Sequence, residues 1–271
     1  MIVRRAVLAA AGAFAAGPAL AIDPGVASGK YDRDGVSFTV SHAMALALDN
    51  TEGVRDQANI LRLLLSDREL PVSAITGLIF TPVGAMARAG AVRGLLIEFS
   101  PADRNSLQAT VLAPPEGGFS LANISVSNSE GLWSRLDVSA TRAAGELKAG
   151  VSEGLAFSFS APVFTDAVQQ DLKGPQAAAS APVKAVIARA EAIGRGDFDA
   201  AYAMSTQSSA AALKALGPDL LNSSRKFAPE LIRQLKAARR VVIRRETANI
   251  FVGPDQWSSA MLVDGVWKAA D

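Results

Sequence analysis

The sequence predicts an α+β chain in two parts. The first is β-rich, β-sandwich-like or open-barrel, with one covering helix; the second is a small domain of helices followed by strands. Three observations carry this. Short apolar segments separated by Gly, Pro, Asn or Ser run from residue 30 to residue 165, a spacing typical of all-β domains. The stretch "DLKGPQAAASAP" at 171–182 has little to bury and reads as a linker. After it, apolar residues recur at helical spacing, and strand-like segments return only toward the carboxyl end.

The elements follow in order. "KYDRDGVSFTV" reads as a hairpin, with Asp34-Gly35 supplying the positive φ angles of a tight turn. "AMALALD" and "NILRLLLSD" are short apolar strands. "PVSAITGLIFTPVGAMARAG" opens on Pro71, a good first-turn residue, and predicts a helix from about Val72 that Pro82 interrupts. Strands return in "VRGLLIEF", "SLQATVLA", "FSLANISV", "LWSRLDVSA" and "LAFSFSAPV". In the last, Leu155, Phe157, Phe159 and Ala161 share one face, and Ala156, Ser158 and Ser160 the other. The expected layout is a β-rich domain over 22–170, the linker over 171–182 and a second domain over 183–271.

The second domain opens with a helix whose inward stripe is Val186, Ile187, Ala190 and Ile193. "GRGDFDAAYAM" follows. Its Arg195-Gly196-Asp197 tripeptide is an adhesion signal elsewhere, but the context favours a corner between helices. Glycine ends one helix in the left-handed conformation, and Asp197 caps the next. "STQSSAAALKALG" carries a third helix. "APELIRQLKAARR" carries a fourth, with Leu231, Ile232 and Leu235 inward. Four strands, "RRVVIRRE", "ANIFVG", "WSSAMLV" and "VWKAAD", close the chain.

The amino terminus reads as an export signal. A basic head, Met1 to Arg5, precedes an uncharged apolar run from Ala6 to Gly17, and Ala19-Leu20-Ala21 supplies small residues for cleavage after Ala21. The alternative, a membrane anchor, needs about 20 apolar residues to cross roughly 30 Å of hydrocarbon. The expected mature chain is periplasmic or secreted, with no transmembrane segment. The chain has no cysteine, which excludes thiolate catalysis and cysteine-ligated metals.

The full chain carries 27 basic and 26 acidic residues, a balance unlike that of a nucleic-acid binder. The halves differ: 12 basic and 17 acidic residues over 22–182, against 13 and 9 over 183–271. The two halves either attract one another or face different partners.

An opening helix, the corner Gly196-Asp197-Phe198 with Ala201-Tyr202, and a terminal Asp264-Gly265 with Trp267-Lys268 resemble the nuclear transport factor 2-like superfamily. Within it, the chain is similar to exported bacterial domains of the lumazine-binding-like kind. The likeness covers about residues 183–271. It implies a cone-shaped α+β fold with a cavity between curved sheet and helices, used for binding in many members and for catalysis in some. The first domain faintly resembles uncharacterised exported β-rich domains.

Chemistry is sparse. His42 is the only histidine, too few for a histidine metal site, and its neighbour Ser41 is expected on the opposite face of the strand. Gly-x-Ser-x-Gly and phosphate-loop patterns are absent. No cofactor, metal site or catalytic residue is indicated. Tyr202, Phe227, Trp257 and Trp267 are the candidate ligand-binding residues of the second domain's cavity. Arg233, Lys236, Arg239, Arg240, Arg244 and Arg245 form a basic cluster, a candidate surface for another envelope protein or an anionic surface. The leading expectation is a non-enzymatic binding or assembly module of the bacterial envelope. The alternatives are an enzyme acting on a small molecule in the second domain's cavity, and a structural subunit of an envelope complex.

Overall fold

The computed structural model describes residues 25–49, 59–77, 81–115, 120–127, 129–148, 155–253 and 257–270. The expected export signal therefore lies outside the described residues. Among the described residues, 44% are in strands and 29% in helices.

The first sheet has nine strands. They are β1 (Val26–Arg33), β2 (Val36–Asp49), β3 (Asn59–Ser66), β4 (Gly94–Ser100), β5 (Asp103–Leu112), β6 (Asn123–Val126), β7 (Trp133–Val138), β8 (Arg142–Lys148) and β9 (Ala156–Thr165). Their order across the sheet is β6-β5-β4-β3-β2-β1-β9-β8-β7, and the sheet curls into a half-barrel. All neighbours are antiparallel, with one added parallel pairing of β2 on β9 at Ala45–Ala47 and Val163–Thr165. That pairing arises because β1 is short. Beyond Val26 it no longer lies beside the 14-residue β2, and β9 takes its place. Gly25 marks the crossing: a Cβ there would lie 1.7 Å from the carbonyl oxygen of Ala43.

The sheet buries apolar side chains on both faces. Inside the curl lie Tyr31, Phe38, Leu63, Ile97, Phe157 and Phe159, among others, with Tyr31 and Phe38 stacked at 5.1 Å. Outside it, Met44, Leu46, Leu64 and Leu96 meet Ile75 of a 3₁₀ turn (Val72–Ile75) and Val83 and Ala87 of α1 (Pro82–Arg88). This double burial explains why β3 reads as a continuous apolar run, buried from Leu61 to Ser66. Pro82 does not interrupt a helix, as expected from sequence; it begins α1, where its missing N–H costs nothing.

The sheet's two edges are tied by side chains and loops. The segment from β6 to β7 crosses the open side of the curl. It hydrogen-bonds Ser129 N to Asn105 O at 2.9 Å and places Leu132 in the inner core. Trp133 rests on Phe99 and Phe159, with ring centroids 4.8 and 6.1 Å away. Arg104 Nη1 donates to Leu136 O across the same gap, at 3.1 Å.

The second sheet is β10 (Gln170–Lys173), β11 (Arg240–Ile243), β12 (Thr247–Phe251), β13 (Trp257–Val263) and β14 (Val266–Ala269), antiparallel in that order. Between β10 and β11 come α2 (Pro175–Ala178), α3 (Ala181–Arg195), α4 (Phe198–Ala203), α5 (Gln207–Lys214) and α6 (Pro218–Lys236). Residues 171–182, linker-like in composition, thus carry most of β10 and all of α2. Val183, Val186 and Leu235 cover one sheet face at Val241, Ile243, Ile250 and Ala260. Ile193, Ala201, Leu213 and Ala228 form a smaller core among the helices. The inward stripe of α3 is as expected: Val186, Ala190 and Ile193 are buried and Ile187 is partly buried. α6 starts ten residues before the expected helix and holds Pro229 in its exposed face.

The corner at 194–200 is as the sequence implies. Gly196 is left-handed at φ 76°, and the Asp197 carboxylate accepts from Ala200 N at 3.1 Å.

The expected α+β class is corrected. In place of a β-sandwich-like or open-barrel domain and a small nuclear transport factor 2-like α+β domain, the chain is mainly β. It has one continuous nine-stranded half-barrel sheet and a five-stranded sheet. The physical reason is strand length and continuity. "SFTV" and "AMALALD", read as separate strands, are one 14-residue strand long enough to pair with three others. A single curled sheet then replaces two packed ones.

Candidate functional site

The 3₁₀ turn and α1, between β3 and β4, cover the outer face of the sheet. Where β2, β7 and β9 finish and β3 begins, the described residues leave a cavity of about 550 Å³. Ala47 and Leu48 come from the end of β2, and Asn59, Ile60 and Leu61 from the start of β3. Pro101 comes from the β4–β5 turn, and Val138, Ser139 and Ala140 from the β7–β8 turn. Val163 and Thr165 end β9, and Asp166 and Ala167 follow it.

This lining has a clear composition. Its apolar members are aliphatic, and its polar members are Asn59, Ser139, Thr165 and Asp166. Asp166 is the ionisable residue of the set and is 5% exposed. It is held by the second part of the chain. Arg244 Nη1, itself buried, donates to Asp166 O, and Arg245 N lies 3.4 Å from Asp166 Oδ1. The rim of the mouth is thus fixed by residues that follow β11.

Of the residues expected to line a cavity in the second part, the three whose side chains are described do not converge. Tyr202 packs in the small helical core, with Lys214 Nζ 4.9 Å from its ring centre. Phe227 is 70% exposed on α6. Trp267 is partly buried and packs on the sheet core. Trp257 begins β13 opposite Phe251, and its side chain lies outside the described residues.

The basic cluster is also divided. Arg233 is exposed and forms a double hydrogen bond with Glu230 at 2.8 and 2.6 Å, which lowers the Glu230 carboxyl and raises the guanidinium. Lys236 and Arg239 are exposed. Arg240 grips Asp171 at 2.8 and 3.1 Å and sits 5.8 Å over the Phe251 ring. That hydrogen bonding holds the Asp171 carboxyl below the usual carboxylate range. Arg244 is buried against Asp166. Three of the six cations therefore meet acidic residues of the chain itself, and two of those acids, Asp171 and Asp166, lie in the more acidic half.

Ser41 and His42 depart from the alternation of a strand: Ser41 Oγ lies 2.8 Å from His42 Nδ1 and also donates to Asp67 O at 3.2 Å. A buried charge lies under the outer face. Arg62, 1% exposed, donates from Nε to Glu98 Oε1 at 2.7 Å and from Nη1 to the carbonyls of Ile75 and Gly77. It fastens the 3₁₀ segment to the sheet. Among the described residues, no group of three His, Cys, Asp or Glu is placed to hold a metal, and no helix is long and apolar enough to cross a membrane.

Sequence reasoning missed the mouth because its walls come from five separate stretches of chain. The one usable signal was "PVFTDAV", an apolar exit from a strand that passes through Asp166. No protein-family model, curated protein or solved structure matches the chain.

Proposed function

We propose that the chain is an exported, non-enzymatic binding protein of the bacterial envelope whose ligand sits in the mouth of the half-barrel. One observation carries this reading: a cavity of about 550 Å³ walled by aliphatic side chains, with its polar groups few in number. Small-molecule sites are typically concave and mostly apolar, with volumes of about 300–1,000 Å³ and few orienting polar groups. The amino-terminal basic head, apolar run and small-residue site support export. Among the described residues, the lining offers one carboxylate, Asp166, with no second ionisable group beside it for acid–base work. The second part of the chain acts as a brace, setting the rim through Arg244.

The test is a fluorescence titration of the full chain with a neutral acyl-naphthalene dye, repeated with Ala140→Trp. Ala140 is exposed at the rim, so the indole covers the opening without entering the core. Affinity should fall at least tenfold in the variant, with an unchanged circular dichroism spectrum. Equal binding to both proteins contradicts the reading.

A further inference from the structure

We infer that the mouth selects an aliphatic chain, alkyl or acyl, ending in an uncharged hydroxyl or ester group; this rests on the reading of the mouth as a ligand site. Shape and chemistry argue for it separately.

The walls argue for the chain. The half-barrel has many aromatic residues, including Tyr31, Phe38, Phe99 and Phe159, but they lie in the inner core. The mouth itself is lined by Ala, Leu, Ile, Pro and Val. A ring-bearing ligand would find no partner for stacking there. A flexible alkyl chain gains from aliphatic contact alone, in proportion to the area it removes from water.

The rim argues for an uncharged head. Among the described residues, the lining contains no Lys, Arg or His. A carboxylate or phosphate head would give up water for a partly dry site in which no described lining residue carries a positive charge. A cationic head would find Asp166 already engaged, by Arg244 at its carbonyl and by the Arg245 N–H at its carboxylate. What the rim does provide is the Asn59 amide and the Ser139 and Thr165 hydroxyls. These both donate and accept, which suits a hydroxyl or an ester.

The experiment is displacement of the acyl-naphthalene dye from the full chain by four sets of competitors. In the first, 1-hexanol, 1-octanol and 1-decanol should gain affinity about fourfold per added methylene, the ratio expected for full burial of each. In the second, decanoate at pH 8 should bind at least tenfold more weakly than 1-decanol. In the third, 2-naphthol, with as many carbons as decanol, should bind more weakly than decanol. The fourth separates sources of the same chemistry: monodecanoylglycerol displacing better than decanol indicates a glycerolipid, and the reverse a free alcohol, either result supporting the inference. Decanoate equal to or better than decanol, a flat alcohol series, or preference for naphthol overturns it. If the dye is blocked by Ala140→Trp yet no alcohol displaces it, the inference fails and the site reading stands. If Ala140→Trp does not block the dye, the site reading itself fails.

Discussion

The two sheets solve the burial problem differently. The nine-stranded sheet is apolar on both faces, filling its own curl with rings and long aliphatics and covering its back with a 3₁₀ turn and α1. The five-stranded sheet borrows its cover from α3 and α6, and much of that core is alanine and valine. Small residues let helix and sheet approach closely. A curled sheet cannot close its own ends, because strands that splay around a core finish at its rim. Where β2, β7 and β9 finish, the described residues of the half-barrel leave a cavity. The lesson is that the site follows from curvature.

This contrast can be broken at defined points, taken from the largest expected effect. Arg62→Ala removes the clamp between β3, Glu98 and the 3₁₀ segment. It leaves a half-buried carboxylate and two carbonyls without their donor, and breaking such a buried pair costs about 3–5 kcal/mol. Urea unfolding should show that loss in the half-barrel. A change under 1 kcal/mol on the same ~3–5 scale would mean the outer face does not depend on the clamp.

Leu63→Ala comes next. Leu63 is fully buried inside the curl, and such truncations cost about 2–5 kcal/mol, more where the site cannot collapse. A half-barrel held open by its curvature should lie at the upper end. A small loss would show that the curl relaxes inward.

Asp197→Ala tests the second part. Losing the bond from Ala200 N should cost about 1 kcal/mol in thermal or urea unfolding, and Asp197→Asn should restore most of it. If Ala and Asn variants are equally stable, the corner is held by packing alone.

The smallest effect belongs to Asp171 and Arg240, both about one-third exposed. The folded carboxyl titrates below its unfolded value, so the pair's stabilisation is present above about pH 3.9. It is lost as the pH falls through the lower folded value. Screening keeps it under about 1 kcal/mol. Comparing wild type with Asp171→Asn, the stability difference should shrink from pH 6 to pH 3. A difference independent of pH contradicts the assignment.

Much of the local structure was legible from residues. Asp34-Gly35 marked its turn, the alternation of β9 marked its buried face, and Gly196-Asp197 marked the helix corner, because each rests on neighbours in sequence. The class was misread because β2 spans what looked like two strands and because a Gly/Pro/Ala stretch became β10 and α2. The arginine inside "NILRLLLSD" drew no notice as sequence, because its partners, at residues 75, 77 and 98, are set by the fold alone. The same holds for the mouth. Tyr202, Phe227 and Trp267 looked like a pocket by composition, yet they are distributed over a helical core, an exposed helix face and a sheet core.

Hydrogen exchange on the full chain, with and without saturating 1-decanol, tests the account most directly. Slower exchange should appear in peptides covering 59–61, 138–140 and 163–167, with residues 183–236 unchanged. Protection confined to 183–271, or none while the alcohol is bound, would contradict the claim that the open end of the half-barrel is the binding site.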